Sequence, residues 1–456
     1  MRSGARSLIV RELDVAPFVL RQLAARFPDR YPVLFDSAAD GPLSRASVLV
    51  AEPRAALWLD ADGRLGAEGM VPQGRTFLTA LENWWLAERD GAAVDLPFSG
   101  GWALFLGYEL AREVEPSLSL PRAALPWQAF ALRTPCALVH DRASDRVVAV
   151  AESDMAQCLD RIEADVRLVQ QNGNAGRSEL LIESIREEDP AVHLQRVLRG
   201  KEYIKAGDIY QTNLARPWRV DFARAPDVME LYERLRAANP APFAALAQWR
   251  GVSILSSSPE RLVRVAGRRI DTRPIAGTRP RSREPGVDLR EITELAAHPK
   301  ERAEHIMLID LERNDLGRVC EPGSVLVDEL MTVESYAHVH HIVSNVSGRL
   351  RADVTPIEAL RAVFPGGTIT GCPKVRCMQI IAELEGEGRG AYTGSLGFLT
   401  RDGTMDLNIL IRTMTLIGRQ LELRAGGGIV ADSIPERELE ETRAKAKGLL
   451  KALDPR

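Results

Sequence analysis

Nothing in this chain approaches the ~18 consecutive apolar residues of a membrane-spanning helix, so none is expected. An excess of positive charge is also missing. With 59 Lys and Arg against 63 Asp and Glu, the net charge is -4, which excludes the basic footprint of a nucleic-acid binder. The five cysteines, Cys136, Cys158, Cys320, Cys372 and Cys377, are scattered, form no C-x-x-C and complete no zinc site. They read as reduced thiols of a cytoplasmic protein. The opening MRSGARSLIVRELDVAPF starts basic but has no apolar core, because Arg11, Glu12 and Asp14 interrupt it, and no signal peptide is expected. Neither G-x-G-x-x-G nor a Walker A loop occurs, which leaves a nucleotide site unsupported. What remains is ordinary for a soluble globular protein, with 45% hydrophobic and 27% charged residues. A length of 456 residues suits two or three domains or one large intertwined unit.

Residues 7–151 form a first region. LIVREL, PVLFDS, ASVLVAEP and AALWLD read as short strands, separated by turn residues such as Asp62-Gly63. PFVLRQLAARF and TFLTALENWWLAER read as helices between them. The polar QQNGNAGR predicts a linker or exposed loop. The second region, 190–453, carries a strand in GDIYQTNLARPWRV and paired strands in GVSILSSSPERLVRV and RRIDTRPIAGT. Thr355, Pro356 and Glu358 predict a capped helix start. The run from TGSLGF to LELRAG predicts three antiparallel strands with a hairpin turn at Asp402-Gly403. Strands neighbouring strands, with helices segregated, argue for an α+β fold.

The chemistry concentrates near the C-terminus. LELRAGGGIVADSIPERELEETRAKAKGLL predicts a strand, a loop at Gly426, Gly427 and Gly428 able to turn its N–H groups toward an anion, and a helix opened by a Ser433/Glu436 capping box. On that helix Glu438, Glu441 and Lys445 share a face. In KERAEHIMLIDLERNDLG, Glu301 and Glu304 repeat the E-x-x-E spacing. Two such edges facing one cleft could hold a hard divalent cation such as Mg²⁺; a solvated helix face accounts equally for either pair alone. Glu260 in SSSPE is a general acid/base if buried and a surface turn residue otherwise. His338, His340 and His341 lie on one strand without metal-ligand company, leaving a proton-donor role open. Arg412, a charge in an apolar strand, requires an anion, either a substrate carboxylate or an internal partner. Tyr392 could direct its hydroxyl into the same pocket or belong to the core.

At these residues a resemblance becomes specific. KERAEHIMLIDLERNDLGRV, PIAGTRPR, SSSPER, HHIVS, GGTITGCPKVRCMQIIAELE, TGSLGF, LIRTM and AGGGIVADSIPERELEETRAKA resemble the chorismate-utilising enzymes: the large subunits of anthranilate and aminodeoxychorismate synthases and their isochorismate and salicylate relatives. The resemblance implies two large antiparallel sheets with flanking helices and a chorismate cleft beside Mg²⁺. It implies Glu304 and Glu441 as direct Mg²⁺ ligands, with Glu301 and Glu438 acting through water. Gly426, Gly427, Gly428, Tyr392, Arg412 and Lys445 would hold carboxylates, and Thr278 and Thr368 would lie near the ring. Glu260 would help the ring hydroxyl leave, and His341 would stand by the reacting carbons.

Within the family, the N-terminal region, EPGSVLVDEL and FPGG look most like the aminodeoxychorismate synthase component of the para-aminobenzoate and folate route. Position 276 departs from that pattern, since Ala276 stands where that branch often carries a nucleophilic lysine, so no lysine adduct can form there. Alanine there, and Thr368, resemble anthranilate synthase, the alternative reading, which implies tryptophan inhibition through a pocket near Asp36, Ser37 and NPAPF. No G-x-C-x-G elbow is present, so ammonia is expected from a separate glutamine amidotransferase subunit. An inactive regulatory homologue is the reading from another class; it would have lost carboxylates that this sequence keeps.

Overall fold

Two large sheets carry the protein. The structure, a computed structural model, describes residues 8–41, 43–91, 96–172, 179–282, 284–336 and 339–454. Among them, the first sheet has twelve strands. In order they are Leu8–Leu13, Arg146–Glu152, Cys136–Asp141, Ala46–Ala51, Val33–Asp36, Phe243–Trp249, Val252–Ser258, Thr413–Ile417, Gln420–Ile429, Gln211–Phe222 and Ile182–Glu187, with short Gly371–Cys372 beside Gln211–Phe222. The second has eleven: Ile275–Pro280, Val339–Arg349, Arg269–Arg273, Arg261–Ala266, Met405–Asn408, Ser395–Thr400, Gly101–Leu106, Trp127–Thr134, Ala55–Asp60 and Leu65–Glu68, with Leu326–Ser335 on the free side of Val339–Arg349. Neighbours pair antiparallel, as in the ladders of Val33–Asp36 on Phe243–Trp249 and Gly101–Leu106 on Ser395–Thr400. Each sheet takes strands from both ends of the chain. The α+β arrangement read from the sequence is the one observed.

Alternation along the strands builds three apolar layers. Val48 and Val50 point into the space between the sheets with Phe105, Phe130, Trp127 and Ile254. Leu49, between them, points outward onto Leu23, Leu159, Ile162, Leu231 and Leu449 of the helices covering the first sheet. Trp102 and Leu104 of the second sheet face Leu78, Trp85, Ile309 and Leu360 of its own helix layer. The Thr355 capping box opens the helix Pro356–Val363 as expected, and Asp402-Gly403 turns the hairpin, with Gly403 at φ +92°. Among the described residues no helix is long and apolar enough to cross a membrane.

Three local expectations are corrected. The triple glycine is strand, not loop: Gly426, Gly427 and Gly428 pair with Ala215, Leu214 and Asn213. Glycine is required there by crowding, since a methyl on Gly426 would fall 2.5 Å from the Leu214 carbonyl oxygen. Ser433 does not cap the last helix, Pro435–Lys451, whose first flanking residue is Ile434. Its hydroxyl instead accepts from Val430 N–H at 3.1 Å and closes the preceding turn, while Pro435 pre-sets the helix start. The run from TGSLGF to LELRAG makes four strands, two in each sheet, and NILIR is the crossover between them. The linker run begins inside the helix Gln157–Asn172; its residues 173–177 lie outside the described residues.

A second crossover runs beside the first. Between Val252–Ser258 and Arg261–Ala266 the chain changes sheets through Pro259 and Glu260. The two are tied together by Ile409 N–H to Glu260 O at 3.0 Å, Ser257 N–H to Arg412 O at 3.1 Å and Ser258 Oγ to Ile409 O at 2.6 Å. Glu260 and Arg412 are thereby set at one place between the sheets.

Candidate active site

The acidic edges of the two helices meet over the glycine strand. A methyl on Gly427 would stand 3.3 Å from Glu441 Oε1 and 3.5 Å from Glu438 Oε2, and one on Gly428 would stand 3.2 Å from Glu304 Oε1. Adjacent residues of one strand therefore touch carboxylates from Pro299–Gly317 on one side and Pro435–Lys451 on the other. Glu301, one turn before Glu304, sits 3.4 Å from Arg279 Nη1. The Glu304 carboxyl is raised above its ordinary range, first by burial and then by the like charges of Glu301 and Glu441, against the opposing Gln211 amide.

Lys445 Nζ lies 2.7 Å from Glu441 Oε1 and donates to the Gly426 carbonyl at 2.9 Å. Burial pulls its pKa down, but Glu441 more than offsets this and holds the ammonium charged. The two side chains are 43% and 49% exposed although protein surrounds them, as expected for groups on the wall of an open hollow.

Across the site, Glu260 is 4% exposed. Burial pushes its carboxyl up to about 7, restrained by Thr368, the Ile275 N–H at 3.4 Å, Lys445 and Arg412. The Thr368 hydroxyl stands close enough to hold that rise down, though its geometry falls short of a formed hydrogen bond. Arg412, expected inside a strand, occupies the crossover at φ +50°. Burial lowers its pKa and Glu260 opposes the shift. Among the described residues its guanidinium forms no hydrogen bond or ion pair, so its charge is left for a ligand. Tyr392 is 7% exposed, and its pKa is raised by burial against Arg389 and Lys445.

His341 is 2% exposed on Val339–Arg349. Burial, then Arg412, depress its pKa to about 3 despite a backbone hydrogen bond with Gly277, so the ring is neutral at physiological pH. His340 faces elsewhere, with Asp288 at 2.9 Å and Ser335 at 2.7 Å on its two ring nitrogens. It is an anchor for that hairpin, and the proton-donor reading does not extend to it. His338 lies outside the described residues. Ala276, 6% exposed, pairs with Ile342, and Thr278 pairs with His341 across the same ladder; the Thr278 side chain lies outside the described residues.

Two residues escaped the sequence reading. Gln211 donates from Nε2 to Glu304 Oε1 at 2.9 Å. Glu312, two turns beyond Glu304 on the same helix, is 5% exposed, and burial, then the like charge of Asp315, raises its carboxyl above the ordinary range. The first could have been suspected from the polar Gln-Thr-Asn opening an apolar strand, the second from an acid on the helix's buried face.

The donor set suits a hard cation: four carboxylates with glycine backbone between them and no sulfur or imidazole. As arranged, no three described His, Cys, Asp or Glu side chains stand close enough to hold an ion. Glu441 is drawn to Lys445 and Glu304 to Gln211, the donors available to mutually repelling carboxylates.

Comparison with known proteins agrees with the geometry. Residues 34–451 match the family described as chorismate binding enzyme. Anthranilate synthase component 1 of Streptomyces coelicolor is 42% identical over 84% of this chain and 78% of its own length. That of Thermus thermophilus is 38% identical over 98% and 97%. Anthranilate synthase component I of Streptococcus pneumoniae superposes with a TM-score of 0.77 at 31% identity, covering 90% of this chain and 93% of that one. The menaquinone-specific isochorismate synthase of Escherichia coli, 17% identical with a TM-score of 0.72, shares the fold. With its sheets, its crossovers and its acidic cleft in place, the chain belongs to the chorismate-binding enzyme family.

Proposed function

We propose that the chain is the chorismate-aminating subunit of an anthranilate-type synthase, converting chorismate and ammonia to anthranilate, pyruvate and water. The observation that carries the choice of branch is the relatives' name: those at 38% and 42% identity, over most of both chains, are anthranilate synthases. The sequence-based preference for the aminodeoxychorismate branch has no counterpart among the relatives named here. Ala276 supports the same choice, because a methyl leaves ammonia to attack the ring directly.

In this reading Glu304 and Glu441 hold Mg²⁺, and Glu301 and Glu438 reach it through water. The cation, when bound, neutralises a substrate carboxylate and draws electron density from the bond that breaks. Arg412 receives a carboxylate of the dianion in its unpaired fork, aided by Lys445, Tyr392 and the N–H groups near Gly426, Gly427 and Gly428. Thr278 and Thr368 border the ring. Glu260, carrying a proton near neutrality, gives it to the departing C4 hydroxyl while ammonia bonds to C2. Neutral His341 then stands ready to take the C2 proton as pyruvate leaves. The same carboxylates argue against an inactive homologue. Ammonia is supplied by a separate glutamine amidotransferase subunit.

A cavity of about 190 Å³ between the sheets is lined by Phe35, Asp36, Ser37, Phe243 and Phe398. It is the site proposed for tryptophan inhibition.

The test is product identification from chorismate, Mg²⁺ and an ammonium salt. Anthranilate with equimolar pyruvate is expected. An aminated chorismate that retains its pyruvyl group would return the chain to the aminodeoxychorismate branch, and no product at high ammonia would remove both.

A further inference from the structure

Gln211 begins the strand Gln211–Phe222, with its backbone paired to Cys372 and its carbonyl accepting from the Cys377 thiol at 3.0 Å. The side chain, 2% exposed, runs under the glycine strand. A methyl on Gly428 would fall 2.0 Å from its Nε2, so this glycine is what admits the carboxamide. Gly428 is not among the residues at positive φ, so crowding rather than backbone conformation excludes a side chain there. The carboxamide's orientation is fixed by chemistry. Glu304 as a carboxylate only accepts, so the group 2.9 Å away must be the NH₂. That leaves Gln211 Oε1 buried and, among the described residues, without a donor. Buried acceptors are almost always matched, and hydrated Mg²⁺ brings water O–H donors to this spot.

We propose that Gln211 is a positioning residue of the cation site, its Nε2 holding the Glu304 oxygen toward the cleft and its Oε1 receiving a water of the cation's shell. The inference rests on the reading of Glu304 and Glu441 as ligands. Gln211 touches neither chorismate nor the reacting atoms, so it acts on how tightly the cation is held. Outer partners of ligands change metal affinity about 10- to 100-fold when lost. Gln211→Met keeps the volume and removes both polar groups.

The experiment titrates Mg²⁺ calorimetrically into the full chain with chorismate present and no nitrogen donor, comparing wild type, Glu304→Gln, Gln211→Met and Gly428→Ala. For Gln211→Met, a Mg²⁺ Kd and a KM for Mg²⁺ both raised about tenfold or more are expected, with kcat at saturating Mg²⁺ changed by no more than about threefold. Its thermal midpoint without Mg²⁺ should not fall, whereas a merely structural role would lower it. Gly428→Ala should weaken Mg²⁺ at least as much as Gln211→Met, because its methyl would fall 2.0 Å from Gln211 Nε2 and 3.2 Å from Glu304 Oε1. Wild-type affinity in Gln211→Met while Glu304→Gln has lost it overturns the inference alone. No Mg²⁺ binding by wild type overturns the ligand reading and this inference together.

Discussion

The cleft and the cavity between the sheets hold their carboxylates differently. In the cavity the two carboxylates are satisfied by the protein itself. Arg261 grips Asp406 with two bonds of 2.9 Å. Asp36 accepts from Ser47 at 3.0 Å, Arg236 at 2.8 Å and Tyr232 at 3.3 Å. In the cleft the Arg412 guanidinium has no partner among the described residues, while Glu301 lies 3.4 Å from Arg279, Glu441 2.7 Å from Lys445 and Glu304 2.9 Å from Gln211 Nε2, so like charges crowd together with few donors among them. A wall whose charges are matched selects by shape. A guanidinium without a partner stores electrostatic energy that an anion releases. The difference is the one expected if, as proposed, the cavity takes tryptophan and the cleft takes a dianion with a cation.

Glu441→Gln or Glu304→Gln tests this contrast hardest. Each should lower Mg²⁺-dependent turnover about a thousandfold or more, because the cation loses a direct ligand; steady-state rates across a Mg²⁺ series would show it, and an active variant would erase the special status of the cleft. Arg412→Ala comes next. Removing an unpaired, half-buried cation should raise KM for chorismate about a hundredfold, near 2–3 kcal/mol, and an unchanged KM would mean the fork points away from substrate. Third is pH. Glu260 acts as an acid only while protonated, and its carboxyl is raised to about 7. At fixed free ammonia kcat should therefore fall about tenfold per unit as pH rises beyond 7. His341, depressed to about 3, should add no limb between pH 5 and 8. A flat profile through 7 would take the acid role from Glu260.

Ala276→Lys should alter the rate a few-fold and introduce a competing amine, visible as a chorismate-derived adduct in the intact-protein mass; indifference would place Ala276 off the cleft. Smallest in its effect on turnover, Ala46→Trp should fill the cavity that Ala46 helps to line and abolish any response to added tryptophan. Tryptophan inhibition surviving that change would separate the effector from this hollow.

Much of this was legible beforehand where the signal is local. The Thr355 capping box, the Asp402-Gly403 hairpin and the E-x-x-E pairs are patterns spanning three or four residues, and each forms as read. The misreadings share one cause. Gly426, Gly427 and Gly428 looked like a loop because glycine permits turns; their neighbours on Gln211–Phe222, far away in sequence, made them strand. Arg412 looked like a strand residue because its neighbours are apolar, but Ile409 and Leu410 are apolar as part of a crossover between sheets. Gln211 carried only the weak sign of a polar Gln-Thr-Asn opening an apolar strand, because its partner Glu304 belongs to another element.

By itself the sequence determined that Glu301 and Glu304 share a helix edge, that Glu438, Glu441 and Lys445 share another, and that no zinc, nucleotide or membrane signature competes with them. These follow from the helical period and from residue type, which depend on nearest neighbours. Only the tertiary structure decided that the two edges meet, that Glu260 is buried enough to keep a proton near neutrality and that Arg412 is left unpaired. Such facts depend on the register of strands drawn from distant parts of the chain and on what their packing shuts away from water, and no period within a single element records either.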